Sequence, residues 1–287
     1  MLIIAALTLL GLVFGSFVNA LVWRMRQQEL LGNEPSARNT KRAVKQLTAA
    51  DLSILKGRSM CPACHHTLAP KDLIPVVSFV VLKGKCRYCA APIEDTPLVE
   101  LITALLFAGS YLCWPLGFGG GGMFAFILWL VFLVGFMALA LYDLRWFLLP
   151  DRIVFPFIGL AGVDVFVRAA VFGGGWTVLA DAAVAAGCLA GLFYVLHALS
   201  RGTWIGFGDV KLAVVLGLLA GSPLQAVLLL FAASVLGMLA VMPLLVRGRA
   251  KARTQIPFGP FLLTATVMVV LFGTRITAWY TAVLYLR

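Results

Sequence analysis

The chain has 287 residues, of which 62% are hydrophobic and only 12% are charged. A water-soluble domain of this length needs much more polar surface, so the composition excludes that class and predicts an integral membrane protein. The formal net charge of +11 would suit a nucleic-acid partner. The basic residues, however, fall in short blocks between apolar runs, as they do in the loops of membrane proteins. We therefore expect no nucleic-acid binding.

Apolar runs recur along the chain at lengths near the 20 or so residues that a spanning helix needs. The first run, 2–23, has no basic residue before it, unlike a secretory signal peptide, and is predicted to remain as a membrane helix with its N-terminus outside. The later runs are 98–114, 123–142, 153–172, 177–199, 210–246 and 257–286.

Two of the later runs are interrupted by turn-forming residues. Gly-Ser-Pro at 221–223 divides the run 210–246, and we expect a helical hairpin or a partly re-entrant segment there. Residues 273–275 are expected to interrupt the last run, and the aromatic residues after them (Trp279, Tyr280 and Tyr285) are interpreted as interfacial anchors rather than as part of a further span. No internal repeat is evident. The pattern predicts an all-α polytopic membrane protein with seven to eight transmembrane helices.

The positions of Lys and Arg predict the orientation. The segments 24–97, 143–152, 200–211 and 247–253 carry 20 of the 23 basic residues. Alternate crossings of the bilayer place all four segments on one side. By the positive-inside rule that side is the cytoplasm.

The segment 24–97 is the one long polar stretch between apolar runs. We expect it to form a small cytoplasmic domain between the first transmembrane helix, 1–23, and a polytopic membrane domain, 98–287. A segment of this size lacks a large apolar core and needs another source of stability.

Two CxxC pairs in this segment supply a candidate. Cys61 and Cys64 are followed after 21 residues by Cys86 and Cys89. Two such pairs directed at one centre form the tetrahedral four-thiolate site that Zn²⁺ favours, and disulfides are disfavoured in the cytoplasm. We predict a structural zinc site, with two unrelated cysteine pairs as the alternative. The two histidines after the first pair are not expected to be ligands.

Two aspartates lie beside apolar runs. Asp143 follows the run 123–142, and Asp209 lies in Gly-Phe-Gly-Asp at the start of the run 210–246. Carboxylates are costly next to a membrane span, so each is a functional candidate. An even number of crossings separates them, which places both on the cytoplasmic side. Two nearby carboxylates share a proton, so one can act as a base on water and the other as an acid.

The alternative is that these aspartates are helix caps or solvated residues. Three other acids in the membrane half are interpreted in that structural way. Asp151, in Leu-Pro-Asp, is predicted to be the N-cap of a helix that opens at Arg152. Asp164 lies within a span and Asp181 lies near the outer side, and we expect both to be structural.

Short motifs in a fixed order carry a resemblance to a known family. In the first half they are Gly15 to Asn19, the two CxxC pairs, Ile74-Pro75, Gly84 to Cys89 and Pro97 to Glu100. In the second half they are Asp143, Leu149 to Asp151, Gly206 to Asp209 with Lys211, and Ile256 to Pro260. Together they resemble the bacterial type IV prepilin peptidases, which are GxGD aspartyl peptidases.

The resemblance implies a specific activity at the inner membrane. Such enzymes cut the basic leader of prepilins or pseudopilins after a glycine, on the cytoplasmic side, and then methylate the new terminal amine with S-adenosylmethionine. It implies that Asp143 and Asp209 are catalytic and that the metal ligands are Cys61, Cys64, Cys86 and Cys89. The implied partners are membrane lipid and the prepilins of a type IV pilus or a type II secretion system.

The methyl-donor site is not located by the sequence, which has no glycine-rich nucleotide fingerprint. Glu100 is one candidate for that site, and a structural carboxylate bonded to backbone is the alternative. Two other functions compete with the peptidase: a transporter with a zinc-stabilised loop, and a secretion-assembly factor without activity. A transporter is disfavoured because both acids map to one membrane face rather than to the midplane.

Overall fold

The computed structural model describes residues 1–33, 51–54, 57–93, 95–247 and 256–285. These residues form nine α-helices and one 3₁₀ turn, Pro70–Asp72, with no strand beyond two isolated bridges. The helices are α1 (Leu2–Asn33), α2 (Val77–Val81), α3 (Leu98–Cys113), α4 (Gly120–Trp146), α5 (Asp151–Ala170), α6 (Gly175–Ser200), α7 (Phe207–Ala220), α8 (Pro223–Val246) and α9 (Gly259–Tyr285). The predicted all-α class is confirmed.

Within these ranges, six helices are long and apolar enough to cross a membrane, namely α1, α4, α5, α6, α8 and α9. Helices α3 and α7 are also apolar but have only 16 and 14 residues. Both are shorter than the 20 or so residues of an ordinary span. With these two the apolar helices number eight in the part of the chain that the structure describes, which agrees with a polytopic membrane protein.

The chain forms two compact units, Met1–Tyr111 and Leu112–Arg287. The first unit contains α1, all but the last two residues of α3, and the cysteine-rich segment between them, and the second contains α4 to α9. The division of the chain at residues 23 and 97 stays a prediction. Helix α1 continues to Asn33, beyond the apolar run that was expected to end at Trp23.

In the first unit, α1 and α3 pack with their backbones in contact. A Cβ placed on Gly11 would lie 2.5 Å from the Cα of Ala104, and one placed on Gly15 would lie 2.5 Å from the Cα of Glu100. Small residues four positions apart permit this approach between membrane helices. The Gly15 motif of the sequence therefore has a packing role.

The C-terminal part of α1 is tied to the segment that follows it. Arg24 is buried, with 5% of its surface exposed. Its guanidinium donates to three backbone carbonyl oxygens, those of Ser53, Ile54 and Gly57, at 3.0–3.3 Å. A buried arginine is stable only when its donors find such partners.

In the second unit, the break at 221–223 is confirmed. Helix α7 ends at Ala220, Gly221 adopts a left-handed φ of 73°, and α8 begins at Pro223. Ser222 caps α8, because its hydroxyl accepts from the Gln225 backbone N–H at 3.3 Å.

The expected interruption at 273–275 is wrong. Helix α9 runs without a break from Gly259 to Tyr285. A glycine inside a helix costs only about 1 kcal/mol relative to alanine, which the rest of a long helix can offset. The Thr277 hydroxyl donates to the Gly273 carbonyl one turn before it at 2.9 Å, so the hydroxyl is satisfied within the helix.

Candidate active site and metal centre

Asp143 lies in the last turn of α4 and is buried, with 6% of its surface exposed. Gly259, the first residue of α9, donates its backbone N–H to the Oδ2 of Asp143 at 3.1 Å. A Cβ on Gly259 would lie 2.5 Å from that same oxygen. The Pro-Phe-Gly motif at the start of α9 therefore places a backbone N–H, with no side chain in the way, next to the Asp143 carboxylate. The start of a helix also favours a negative charge, because its first N–H groups have no partner within the helix.

Asp209 lies in the first turn of α7 and is half-buried. Its backbone N–H donates to the carbonyl of Gly206 at 3.1 Å. The Asp143 carboxylate lies near enough to Asp209 for a charge on one to act on the other. The structure thus brings together two carboxylates from helices that the sequence separates by α5 and α6.

The Gly-Phe-Gly-Asp turn packs against the segment that follows α4. A Cβ on Gly208 would lie 3.1 Å from the Cβ of Leu149. Lys211, one turn beyond Gly208, donates to a carboxylate oxygen of Asp151. These contacts join the start of α7 to the start of α5.

The prediction that Asp151 is an N-cap is wrong. Helix α5 begins at Asp151 itself, and Pro150 occupies the N-cap position without a side-chain cap. The Asp151 carboxylate instead pairs with Lys211, whose ammonium also lies 5.3 Å from the ring centres of Phe155 and Phe207. The opposite charge on α7 offers a stronger partner than backbone N–H groups, and only the tertiary structure places it there.

Asp164 has a partner that the sequence analysis did not name. Its Oδ2 lies 2.8 Å from Nη2 of Arg168, one turn later on α5. The spacing of four residues was the signal that could have identified this pair. Asp181 is exposed on α6. Neither acid lies in a cluster with Asp143 and Asp209 in the described structure.

The four cysteines converge on one point. Their Sγ atoms all lie within 4.8 Å of one another, and those of Cys61 and Cys89 are 3.8 Å apart. A tetrahedral zinc site with Zn–S bonds of about 2.3 Å has S···S edges of about 3.8 Å. The cysteine positions therefore fit a four-thiolate metal, and this cluster contains neither of the adjacent histidines.

Each CxxC pair lies in the same local turn, a short repeat that the sequence analysis missed. The first cysteine donates its N–H to the carbonyl five residues later, and the residue after the second cysteine has a positive φ. The bonds are Cys61 to His66 and Cys86 to Ala91, and the positive φ values are 56° at His65 and 57° at Ala90. The signal was the constant offset of 25 residues between the two cysteine pairs.

Hydrogen bonds within the second turn favour a thiolate. Burial raises the pKa of Cys86, but hydrogen bonds with the backbone N–H groups of Tyr88 and Cys89 and with the thiols of Cys61 and Cys89 outweigh it and lower that pKa to about 7. Burial and the same thiol contacts raise the pKa of Cys61 and Cys89. A thiol that ionises near neutral pH is suited to bind a metal.

Asp72 fastens this turn to the 3₁₀ segment. It accepts from Nε of Arg87 at 2.7 Å and from the hydroxyl of Tyr88 at 3.0 Å. The Arg87 guanidinium holds the pKa of Asp72 below its ordinary value. The carboxylate is therefore ionised at neutral pH and links two parts of the cysteine-rich segment.

Glu100 lies in the first turn of α3 and is buried, with 8% of its surface exposed. Its Oε2 accepts from the Val76 backbone N–H at 2.6 Å, and Ser16 is a further partner. The predicted alternative of a carboxylate bonded to backbone is therefore found. A role in methyl transfer stays a prediction.

Comparison with known proteins identifies the family. A model described as the bacterial Peptidase A24 N-terminal domain matches residues 9–114, and one described as the type IV leader peptidase family matches residues 130–242. The prepilin leader peptidase/N-methyltransferase of Pseudomonas aeruginosa is 32% identical over 290 residues, covering 95% of this chain and 91% of that protein. The chain belongs to the type IV leader peptidase family.

Other members of the family show the same extent of similarity. A protein of the same description from Aeromonas hydrophila is 32% identical and covers 95% of this chain and 91% of its own length. The one from Bacillus subtilis is 31% identical and covers 80% of this chain and 87% of its own length. No solved structure matches the chain. Because this is a protease family, the chain is an enzyme, and the transporter and inactive assembly-factor alternatives are set aside.

Proposed function

We propose that this enzyme is a membrane aspartyl endopeptidase that cuts the leader of prepilins or pseudopilins after a glycine and then methylates the new terminal amine. The observation that supports the peptidase assignment is the placement of Asp143 at the end of α4 and of Asp209 at the start of α7, near enough for their charges to interact. The curated relatives are described as prepilin leader peptidase/N-methyltransferase, which supports the substrate and the second activity.

In the proposed mechanism the two carboxylates share one proton. The ionised acid takes a proton from a water molecule while the water oxygen attacks the scissile carbonyl carbon. The protonated acid gives its proton to the oxygen of that carbonyl as negative charge develops there. The Gly259 N–H holds Oδ2 of Asp143 and fixes the plane of that carboxylate. Neither acid alone supplies both the base and the acid.

The site also explains the expected preference for glycine in the substrate. Glycine backbone lies beside each acid, Gly206 beside Asp209 and Gly259 beside Asp143. A substrate strand must approach two carboxylates closely, and a side chain at the scissile position would crowd that approach. A bulky residue there should therefore block cleavage.

The proposed location is the inner membrane of a bacterium, with the acids at the cytoplasmic face. This placement follows from the positive-inside distribution of Lys and Arg. Prepilin substrates, of a type IV pilus or a type II secretion system, and membrane lipid are the proposed partners. Anionic lipid would hold a basic leader at the surface with about 1 kcal/mol per basic residue, since the segment 24–97 is itself basic.

We further propose that a structural zinc ion is bound by Cys61, Cys64, Cys86 and Cys89 and stabilises the fold of the cytoplasmic segment 24–97. Each turn directs two thiols to the common centre, and the spacing of the sulfurs suits a tetrahedral ion. S-adenosylmethionine is the proposed methyl donor, as the description of the relatives as N-methyltransferases implies. Glu100 is the candidate residue for its site.

The test is co-expression with candidate prepilins, followed by intact-mass analysis of the product. The wild-type enzyme should remove the leader and add one methyl group, whereas Asp143→Asn and Asp209→Asn should leave the leader in place. Full cleavage by a double Asp143→Asn, Asp209→Asn variant would overturn the aspartyl mechanism.

A further inference from the structure

A cavity of about 170 Å³ lies in the first unit, beside the cysteine turns. Neither the pair Asp143 and Asp209 nor the metal centre accounts for it. Its lining combines four buried polar side chains, Asn19, Arg24, Asp72 and Glu100, with apolar and aromatic surface from Trp23, Phe79 and Leu82. A mainly apolar cavity with a few fixed polar groups is the usual form of a small-molecule site.

Asn19 is the unexplained residue of this cavity. It has 7% of its surface exposed, and its Oδ1 is buried without a hydrogen-bond partner among the described residues. An unsatisfied buried acceptor costs about 1–3 kcal/mol. Its position in a cavity wall indicates that a ligand with an N–H or O–H group completes the bond.

The charges around the cavity select a cationic ligand. Glu100 accepts from Val76, and in the described structure no Lys or Arg forms an ion pair with it. The two arginines in the lining are engaged elsewhere. Arg24 donates to backbone carbonyls, and Arg87 donates to Asp72. An uncompensated carboxylate and a free acceptor in one wall favour a positively charged donor.

We propose that this cavity binds an α-ammonium group, with Asn19 Oδ1 and the Glu100 carboxylate as its acceptors, and so holds a reactant of the methyl transfer. The inference rests on the proposed N-methyltransferase function. Two reactants carry this chemistry: the amino-acid end of the methyl donor, and the new terminal residue of the cleaved substrate. The aromatic walls suit either an adenine or an aromatic terminal side chain.

The experiment measures binding rather than turnover, by calorimetry on the purified full chain in nanodiscs. One arm titrates S-adenosylhomocysteine, which has the α-ammonium but no methyl group to transfer. The other arm titrates a short apolar peptide with a free terminal phenylalanine, with its N-acetylated form as the control. If variants of Asn19 and Glu100 bind S-adenosylhomocysteine more weakly than the wild type does, the methyl donor is the occupant. If they bind the peptide more weakly, the substrate terminus is the occupant.

Three variants change the proposed acceptors one at a time. Asn19→Leu and Glu100→Gln should weaken binding of one probe at least tenfold, whereas Asn19→Asp should retain it because an acceptor remains. Glu100→Gln keeps an amide oxygen for the Val76 N–H, so its fold should be preserved. Glu29→Gln, at a partly exposed residue of α1, is the matched control and should bind as the wild type does.

Leader cleavage is measured on the same preparations, since Asp143 and Asp209 lie in the second unit. Thermal unfolding of Asn19→Leu and Glu100→Gln, compared with that of the wild type, shows whether these variants are folded. If Asn19→Leu does not fold, Glu100→Gln and Asn19→Asp still carry the test. Equal binding of both probes by all variants, or no binding to the wild type, overturns the proposal. Absence of cleavage by the wild type would instead overturn the proposed function.

Discussion

Gly259 donates its backbone N–H to the Oδ2 of Asp143 at 3.1 Å, and no space for a side chain remains between them. The contact joins the first residue of α9 to the last turn of α4. It gives the Pro-Phe-Gly motif a function in the site: the glycine is required for the close approach of backbone to carboxylate.

Gly259→Ala should therefore disable the peptidase. The new Cβ would lie 2.5 Å from Oδ2, so the carboxylate or the start of α9 must move. A displacement of about 1 Å in a catalytic group costs on the order of 100-fold in rate, and we expect a loss of that size in leader cleavage. Gly162→Ala is the control, because a Cβ on Gly162 meets nothing within 4 Å. Equal rates for both variants would show that this contact does not position Asp143.

Asp143→Asn and Asp209→Asn should each abolish cleavage while the protein still inserts into the membrane. Each change removes either the base or the acid of the pair. Asp181→Asn, at an exposed position of α6, should cleave normally. Asp151→Asn should retain most activity, because it weakens only the half-exposed pair with Lys211. An inactive Asp151→Asn together with an active Asp143→Asn would move the first catalytic acid to Asp151.

Cys86→Ser should release the metal. The wild-type enzyme is expected to contain about one zinc per chain by elemental analysis, as one four-thiolate site requires. Loss of a ligand should increase proteolysis of the segment 57–93 and leave the membrane helices intact. Cys188→Ser, on α6, should keep the metal. A wild-type preparation that is free of metal and fully active would contradict the structural role.

Gly15→Ala should destabilise the first unit. Its Cβ would lie 2.5 Å from the Cα of Glu100, so α1 and α3 would have to separate. Overpacking of this kind costs about 1–3 kcal/mol, which thermal unfolding in detergent would detect. Gly109→Ala, where a Cβ on α3 meets nothing within 4 Å, should be neutral or slightly stabilising, since alanine favours a helix. Identical melting of the two variants would exclude close packing at Gly15.

The sequence by itself determined the features that depend on composition and spacing. Hydropathy alone identifies the apolar helices and the break at 221–223, because a segment in a bilayer must satisfy its own backbone. The spacing of the four cysteines was sufficient to predict that they meet. Each CxxC turn is a local structure that presents two thiols, and one tetrahedral metal ion needs four. Asp143 and Asp209 were predicted to be functional because a carboxylate beside a membrane span is energetically costly.

Only the tertiary structure decided which distant groups touch. The bond from Gly259 to Asp143 and the pairing of Asp151 with Lys211 depend on how helices pack. So does the position of Asn19 beside a cavity, where its Oδ1 has no hydrogen-bond partner among the described residues. The uninterrupted α9 has the same origin, because packing along a whole helix outweighs one unfavourable glycine. Local patterns specify which segments are helical, but contacts between residues far apart in the chain depend on the relative placement of several helices at once.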